Sequence, residues 1–241
     1  MIESEEFVEP APGFSALGFL AFTTTRAIGS LGLAGSEPVS AVMTRWTTLR
    51  RDLAARGIHR LATAGQVHGR QVLAHVAGWT GWLRADAADG HLAPAGAPTA
   101  VAVTVADCVP IFVAHPSGTA VVLHSGWRGT EAGILDAGLD ALAEVGCPAS
   151  ELTIHLGPAI CGRCYEVSPD VFARLTGRVV AVPTPVDLRA LIAERARARG
   201  VPTVTTSPRC TRCDNARFFS HRAGDAGRQI SLMARLPVSS A

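Results

Sequence analysis

The chain has 241 residues, 48% of them hydrophobic and 17% charged, which suits a chain that buries a core and excludes a disordered one. A formal net charge of +2 gives no strong pull toward nucleic acid or an acidic membrane surface. All 22 basic residues are arginine, so a lysine Schiff base and a lysine-dependent phosphate loop are both excluded.

Met1 to Glu9 is acidic where a secretory signal is basic. The longest apolar stretch, Ala100 to Ala114, contains Asp107 and Pro110 and is too short to span a bilayer. A soluble cytoplasmic protein is expected. Gly18 to Thr25 reads as a strand and Gly29 to Ser36 as a glycine-rich loop. Ser40 to Arg56 reads as a helix, with Met43, Trp46, Leu49 and Leu53 on its apolar face and Gly57 at its C-terminal cap. Ile58 to Thr63 and Gln71 to Val76 are expected strands, and residues 77–98 an irregular loop.

The middle carries the clearest pattern. Thr99 to Val105 and Val109 to Ala114 are strands around Ala106-Asp107-Cys108; His115 to Gly118 is a turn, and Thr119 to His124 a strand. A helix follows from about Thr130 to Val145, with Ile134, Leu135, Leu139 and Leu142 turned inward. Leu152 to Leu156 is a strand. Ser168 is placed to cap a helix with Pro169 at its first position, and Asp187 to cap Leu188 to Arg199, closed by Gly200. Val201 to Thr205 is expected as the final strand, with Cys210 to Arg228 a polar loop. With no repeat, linker or composition break, residues 1–241 read as a single layered α/β domain (α+β-like), with mixed β-sheets flanked by helices.

Three residues stand where strands give way to loops among small neighbours: His68, Cys108 and His124. Two imidazoles and a thiolate suit zinc, and three protein ligands leave a fourth position for water or substrate. The same residues could instead form a cysteine hydrolase, with Cys108 as nucleophile and His124 or His68 as base. Cys161-Gly162-Arg163-Cys164 and Cys210-Thr211-Arg212-Cys213 are two C-x-x-C pairs, compatible with a four-thiolate metal site or with thiols that line a pocket or pack in the core. The eight histidines include no His-x-His pair, which argues against a four-copper cluster. His59, His75, His91, His115 and His155 read as surface or satisfied core residues. Arg26, Arg128 and Arg222 lie in or beside Gly/Ser-rich loops, and Arg128 is best placed to meet an anion such as phosphate. Asp107 and Glu166 are candidate proton carriers or orienters of the histidines, with a purely structural role the alternative for each.

Several segments, in one order from about Thr23 to the end, together resemble the YfiH-like family, long labelled the laccase domain or multicopper polyphenol oxidoreductase. They are Gln66-Val67-His68-Gly69, Thr104-Val105-Ala106-Asp107-Cys108-Val109-Pro110, and His124-Ser125-Gly126-Trp127-Arg128-Gly129-Thr130. Then follow Gly157-Pro158-Ala159-Ile160, Cys164-Tyr165-Glu166-Val167, Cys210-Thr211, Phe218-Phe219-Ser220-His221-Arg222 and Gly227-Arg228. The resemblance implies that His68, Cys108 and His124 bind one zinc, with copper able to enter such an N/S site in vitro. It implies a monomer acting on small-molecule purine nucleosides and phosphate. The implied reactions are phosphorolysis of adenosine, inosine, guanosine and S-methyl-5′-thioadenosine, and hydrolytic deamination of adenosine. The family's older label implies a copper-dependent polyphenol oxidase instead. Two departures bear on substrate contacts: the loop Thr25 to Leu33 is shortened and lacks the family's asparagine, and Ala223 replaces its second arginine.

Overall fold

The computed structural model describes residues 4–35 and 37–237. Period-two alternation along its strands sends neighbouring side chains into different cores. On β7 (Thr99–Val105), Val101, Val103 and Val105 enter one core while Ala100 and Ala102 enter another. On β9 (Ala120–Ser125), Ala120 and Val122 share the core of the β7 valines, while Val121 and Leu123 face away from it. Two sheets buried on both faces follow from that pattern, each backed by helix.

The first sheet has the order β1-β2-β14-β7-β3-β5, from β1 (Val8–Pro10), β2 (Phe19–Thr24), β3 (Arg60–Ala64), β5 (Gly81–Ala85), β7 and β14 (Gln229–Arg235). The second has the order β13-β10-β8-β9-β6-β4, from β4 (Val72–Ala74), β6 (Gly90–Ala93), β8 (Val109–Ala114), β9, β10 (Thr153–Leu156) and β13 (Thr203–Thr206). Both are mixed: β3 runs parallel to β7 and β5, and β10 parallel to β13, while β8 and β9 pair antiparallel. A two-stranded ribbon joins β11 (Glu166–Val167) to β12 (Thr184–Pro185). Phe14, Phe19 and Phe112 fill the space between the large sheets. Helix α1 (Val39–Ala54) covers the outer face of the first sheet through Trp46, Leu49 and Leu53. Helices α3 (Ile134–Glu144) and α5 (Leu188–Ala198) share the outer core of the second sheet, through Leu139, Leu142 and Ile192. This is the α/β arrangement of mixed sheets flanked by helices that the sequence indicates.

The structure corrects several sequence expectations. Residues 77–98 are not all loop: they hold β5 and β6. The strand at 203–206 is not the last, because β14 follows and pairs with both β2 and β7. Its alternation of Ile230, Leu232 and Ala234 with Gln229 and Ser231 hides it, since polar residues occupy a buried face; there Ser231 Oγ lies 2.7 Å from Thr23 Oγ1. The helix expected over 130–145 is two helices, α2 (Trp127–Ala132) and α3, broken at Gly133 with φ 80°. Val42, not Met43, completes the buried face of α1. Asp187 caps α5 through the Ala190 N–H, whereas Ser168, ahead of α4 (Pro169–Thr176), donates to Asp170 Oδ1 instead of capping. Of the expected loop at 29–36, Ser36 lies outside the described residues. Among the described residues no helix is long and apolar enough to cross a membrane.

Candidate metal centre

Parallel pairing of β3 with β7 brings both C-terminal ends to one edge of the sandwich. There the chain crosses from the first sheet to the second twice, at 65–71 between β3 and β4 and at 106–108 between β7 and β8. Antiparallel pairing of β8 with β9 sets Pro110 opposite His124, so the end of β9 arrives at the same place. His68, Cys108 and His124 thus converge, one ligand atom of each within 4.8 Å of the others. The two imidazole rings meet edge to face, with centroids 4.8 Å apart. His68 is exposed, Cys108 half-buried and His124 buried.

The two crossings are tight. His68 (φ 59°) and Asp107 (φ 83°) are the non-glycine residues with positive φ among the described residues; the first is a donor and the second precedes one. The His68 turn aims the backbone N–H groups of Val67, His68 and Gly69 at one carboxylate, Asp89, at 3.2, 3.0 and 2.7 Å. Asp89 is fully buried and also accepts a hydrogen bond from His124 Nδ1 at 2.9 Å. Burial pushes the Asp89 carboxyl up, but His124 and the N–H groups outweigh it and hold the pKa below the ordinary value. Asp89 therefore fixes the His124 ring and turns its other nitrogen toward Cys108 and the donor cluster. Gln66 ties the two crossings together, accepting from the Thr104 N–H and hydroxyl and donating to the Thr104 carbonyl.

Burial raises the Cys108 thiol, yet the charge of His124 and hydrogen bonds to His124 and His68 bring it down to about 6. Burial lowers His124, yet the Cys108 thiolate and Asp89 push it up to about 9. A thiolate is favoured here before any cation arrives. Two imidazoles, one of them held by a carboxylate, and a thiolate make a donor set that fits a borderline-soft divalent cation. Gly126 leaves the needed space, because a Cβ there would lie 2.9 Å from Cys108 Sγ and 3.1 Å from His68 Cδ2.

Two cavities meet at His68 and Cys108, and His124 lines one of them. One, of about 570 Å³, is lined by Thr63, Gln66, Arg84 and Arg228; the other, of about 380 Å³, by Trp127, Arg128, Tyr165 and Arg222. His68, Cys108 and His221 line both. Arg128 is exposed, its guanidinium 4.3 Å from the Trp127 ring centroid, with no carboxylate in salt-bridge range among the described residues. Arg222 lies over Tyr165 and donates to the Glu166 carbonyl. Arg26 is occupied elsewhere, bonded to the Asn215 and Phe218 carbonyls and to Asp225.

Asp107 and Glu166 do not orient the histidines. Asp107 accepts from the Thr211 hydroxyl at 2.6 Å and from the Arg222 N–H at 2.7 Å, while Glu166 is exposed on β11. The orienting carboxylate is Asp89, which falls in the stretch 77–98 that reads as irregular loop, where nothing local marks the carboxylate as buried. His221 was likewise left without a role, and only the packing of the 210–222 segment brings it to both cavities.

The family model described as multi-copper polyphenol oxidoreductase laccase matches residues 26–236, and the chain belongs to that family. Among its relatives, a purine nucleoside phosphorylase of Streptomyces coelicolor is 34% identical over 205 residues, covering 79% of this chain and 80% of that protein. An adenosine deaminase from an unknown prokaryotic organism is 35% identical over 136 residues, 51% of this chain and 52% of that one. The crystal structure of YlmD from Geobacillus stearothermophilus superposes with a TM-score of 0.85 at 26% identity, covering 98% of both chains.

Proposed function

We propose that this chain is a zinc-dependent purine nucleoside enzyme that catalyses phosphorolysis of adenosine, inosine, guanosine and S-methyl-5′-thioadenosine and hydrolytic deamination of adenosine. It would act as a monomer in the cytoplasm. The observation that carries the reading is the convergence of His68, Cys108 and His124 at the junction of two cavities. Relatives named as a purine nucleoside phosphorylase and an adenosine deaminase supply the substrate class.

His68, Cys108 and His124 would hold the ion, with Asp89 steering His124. When bound, zinc supplies Lewis acidity, which polarises oxygen and makes water a nucleophile near neutral pH. The protein's own groups then divide the remaining work. Cavities on two sides of the donors let nucleoside and the second reactant approach from different directions. Arg128, exposed beside Trp127 and unpaired with any described carboxylate, holds phosphate by charge-assisted hydrogen bonds. His221, which lines both cavities, carries a proton to the departing purine or ammonia. Asp107 acts indirectly, by anchoring Arg222 in the cavity wall and bonding the Thr211 hydroxyl behind it.

A polyphenol oxidase of the laccase type needs a histidine-rich copper cluster, and the described donor groups are one His/His/Cys set and one all-cysteine set. Incubating metal-quantified protein with adenosine, with and without phosphate and under anaerobic conditions, tests the proposal by product mass. Adenine with ribose 1-phosphate in the first case and inosine in both are expected. Turnover that survives chelation but is stopped by thiol alkylation would move the assignment to a Cys108 hydrolase, and oxygen-dependent phenol oxidation alone would restore the copper reading.

A further inference from the structure

Four more thiols form a second, separate group. The Sγ atoms of Cys161, Cys164, Cys210 and Cys213 all lie within 4.8 Å of one another, with Cys164 and Cys213 3.4 Å apart. None is in a disulfide. Their approach follows from topology: β10 and β13 are parallel neighbours, so the turns beyond both leave the same sheet edge. An isolated bridge from Ala159 to Cys210, with the Thr211 N–H on the Ala159 carbonyl at 3.1 Å, extends that pairing to the thiols.

Each C-x-x-C segment is a turn. The Cys164 and Tyr165 N–H groups return to the Cys161 carbonyl, and the Asp214 N–H returns to the Cys210 carbonyl. Cys210 Sγ accepts N–H bonds from Cys161 at 3.2 Å and from Cys213 at 3.4 Å, which suits a thiolate held by its own turn and by the facing one. Four sulfurs about 2.3 Å from one tetrahedral cation lie about 3.8 Å apart, the scale seen here, whereas a disulfide needs about 2.05 Å. One divalent ion among four thiolates leaves two negative charges; Arg163 and Arg212 sit inside the turns to offset them, and Arg212 Nη1 bonds the Cys164 carbonyl at 3.3 Å. None of the four cysteines lines either cavity.

We propose that Cys161, Cys164, Cys210 and Cys213 form a second, closed metal site that takes one zinc ion as a structural clamp. Four protein ligands leave no position for a reactant, so the ion is not catalytic. It locks the 161–165 turn to the 210–222 segment, which delivers Thr211 and Arg222 to Asp107, next to Cys108. The clamp thereby holds the cavity wall without touching the reactants.

The test uses the full chain purified under reducing, chelator-free conditions, with metal counted by mass spectrometry. About two zinc ions per chain are expected, falling to about one in Cys108→Ala and to about one in the paired variant Cys164→Ser with Cys213→Ser. Should the paired variant not fold, Cys108→Ala loaded with cobalt decides: an intense tetrathiolate cobalt spectrum supports the clamp. A folded Cys108→Ala without metal overturns it. So do zinc counts unchanged by the paired substitution, iron in place of zinc, or a Cys164–Cys213 disulfide in the freshly isolated protein. Two zinc ions without nucleoside turnover would sink the proposed function and leave this site standing.

Discussion

The two donor groups of this protein lie beside one another in the fold and are built in opposite ways. His68, Cys108 and His124 come from three separate strand ends, rest on left-handed backbone at His68 and Asp107, and open onto two cavities. The four thiols come from two short turns that close on the Cys161 and Cys210 carbonyls, and they line neither cavity. A site that keeps one corner open must have each ligand held from outside, which is the work of Asp89 and Gln66. A closed site is held by the ion and by its own turns.

That contrast can be broken most directly by exchanging what is lost at each group. Cys108→Ala should remove nucleoside turnover by more than ~10²-fold, measured by product formation at matched protein concentration. The paired substitution of Cys164 and Cys213 should instead lower the thermal midpoint by more than ~4 °C. Equal loss of turnover in a folded paired variant would erase the distinction. Asp89→Asn should weaken metal retention at the open group by ~10–100-fold in a competing-chelator titration, leaving the thiol-bound ion in place. Gly126→Ala pushes a methyl against Cys108 and His68 and should cost roughly tenfold in turnover, read as a lower kcat with little change in fold stability.

A more selective effect is expected at Arg128. Arg128→Ala should raise the KM for phosphate ~10-fold while deamination of adenosine is unchanged, since one charge-assisted contact is lost. Equal loss of both activities would make Arg128 a support for Trp127 and not a phosphate ligand. A further effect falls on stability and not on turnover. Burial holds His155 down to about 4 and His91 down to about 3. The unfolded chain, with histidine near 6.5, binds more protons than the folded one below that value. Stability is therefore lost as pH falls from about 6.5 toward 4, by up to ~1.4 kcal/mol per unit for each histidine. His155→Phe, which packs between Phe14 and Phe112, should flatten that slope in urea titrations at several pH values.

Legibility followed the range of the interactions. Trp46, Leu49 and Leu53 reveal α1 because helix burial repeats within one turn, and the valines of β7 reveal a strand because its faces alternate. Strand β14 was lost because Gln229 and Ser231 are buried and paired, which looks like solvent exposure in one dimension. Asp89 was lost for the same reason: its partners, His68 and His124, stand 21 and 35 residues away. For Asp107 the sequence leaves a role at the donors and a structural role both open, and only the fold decides, because its oxygens face Thr211 and Arg222.

The amino-acid order alone determined the donor chemistry: two imidazoles and a thiol among small residues, two cysteine pairs, no lysine, and apolar periods that build an α/β core. Those are properties of residue type and near spacing, which a chain carries before it folds. The tertiary structure decided which carboxylate serves the histidines, that Arg26 is occupied and Arg128 free of any described carboxylate, and that four thiols from turns 49 residues apart share one corner. Strand pairing sets those distances, and pairing partners are chosen by burial across the whole sandwich and by no local signal.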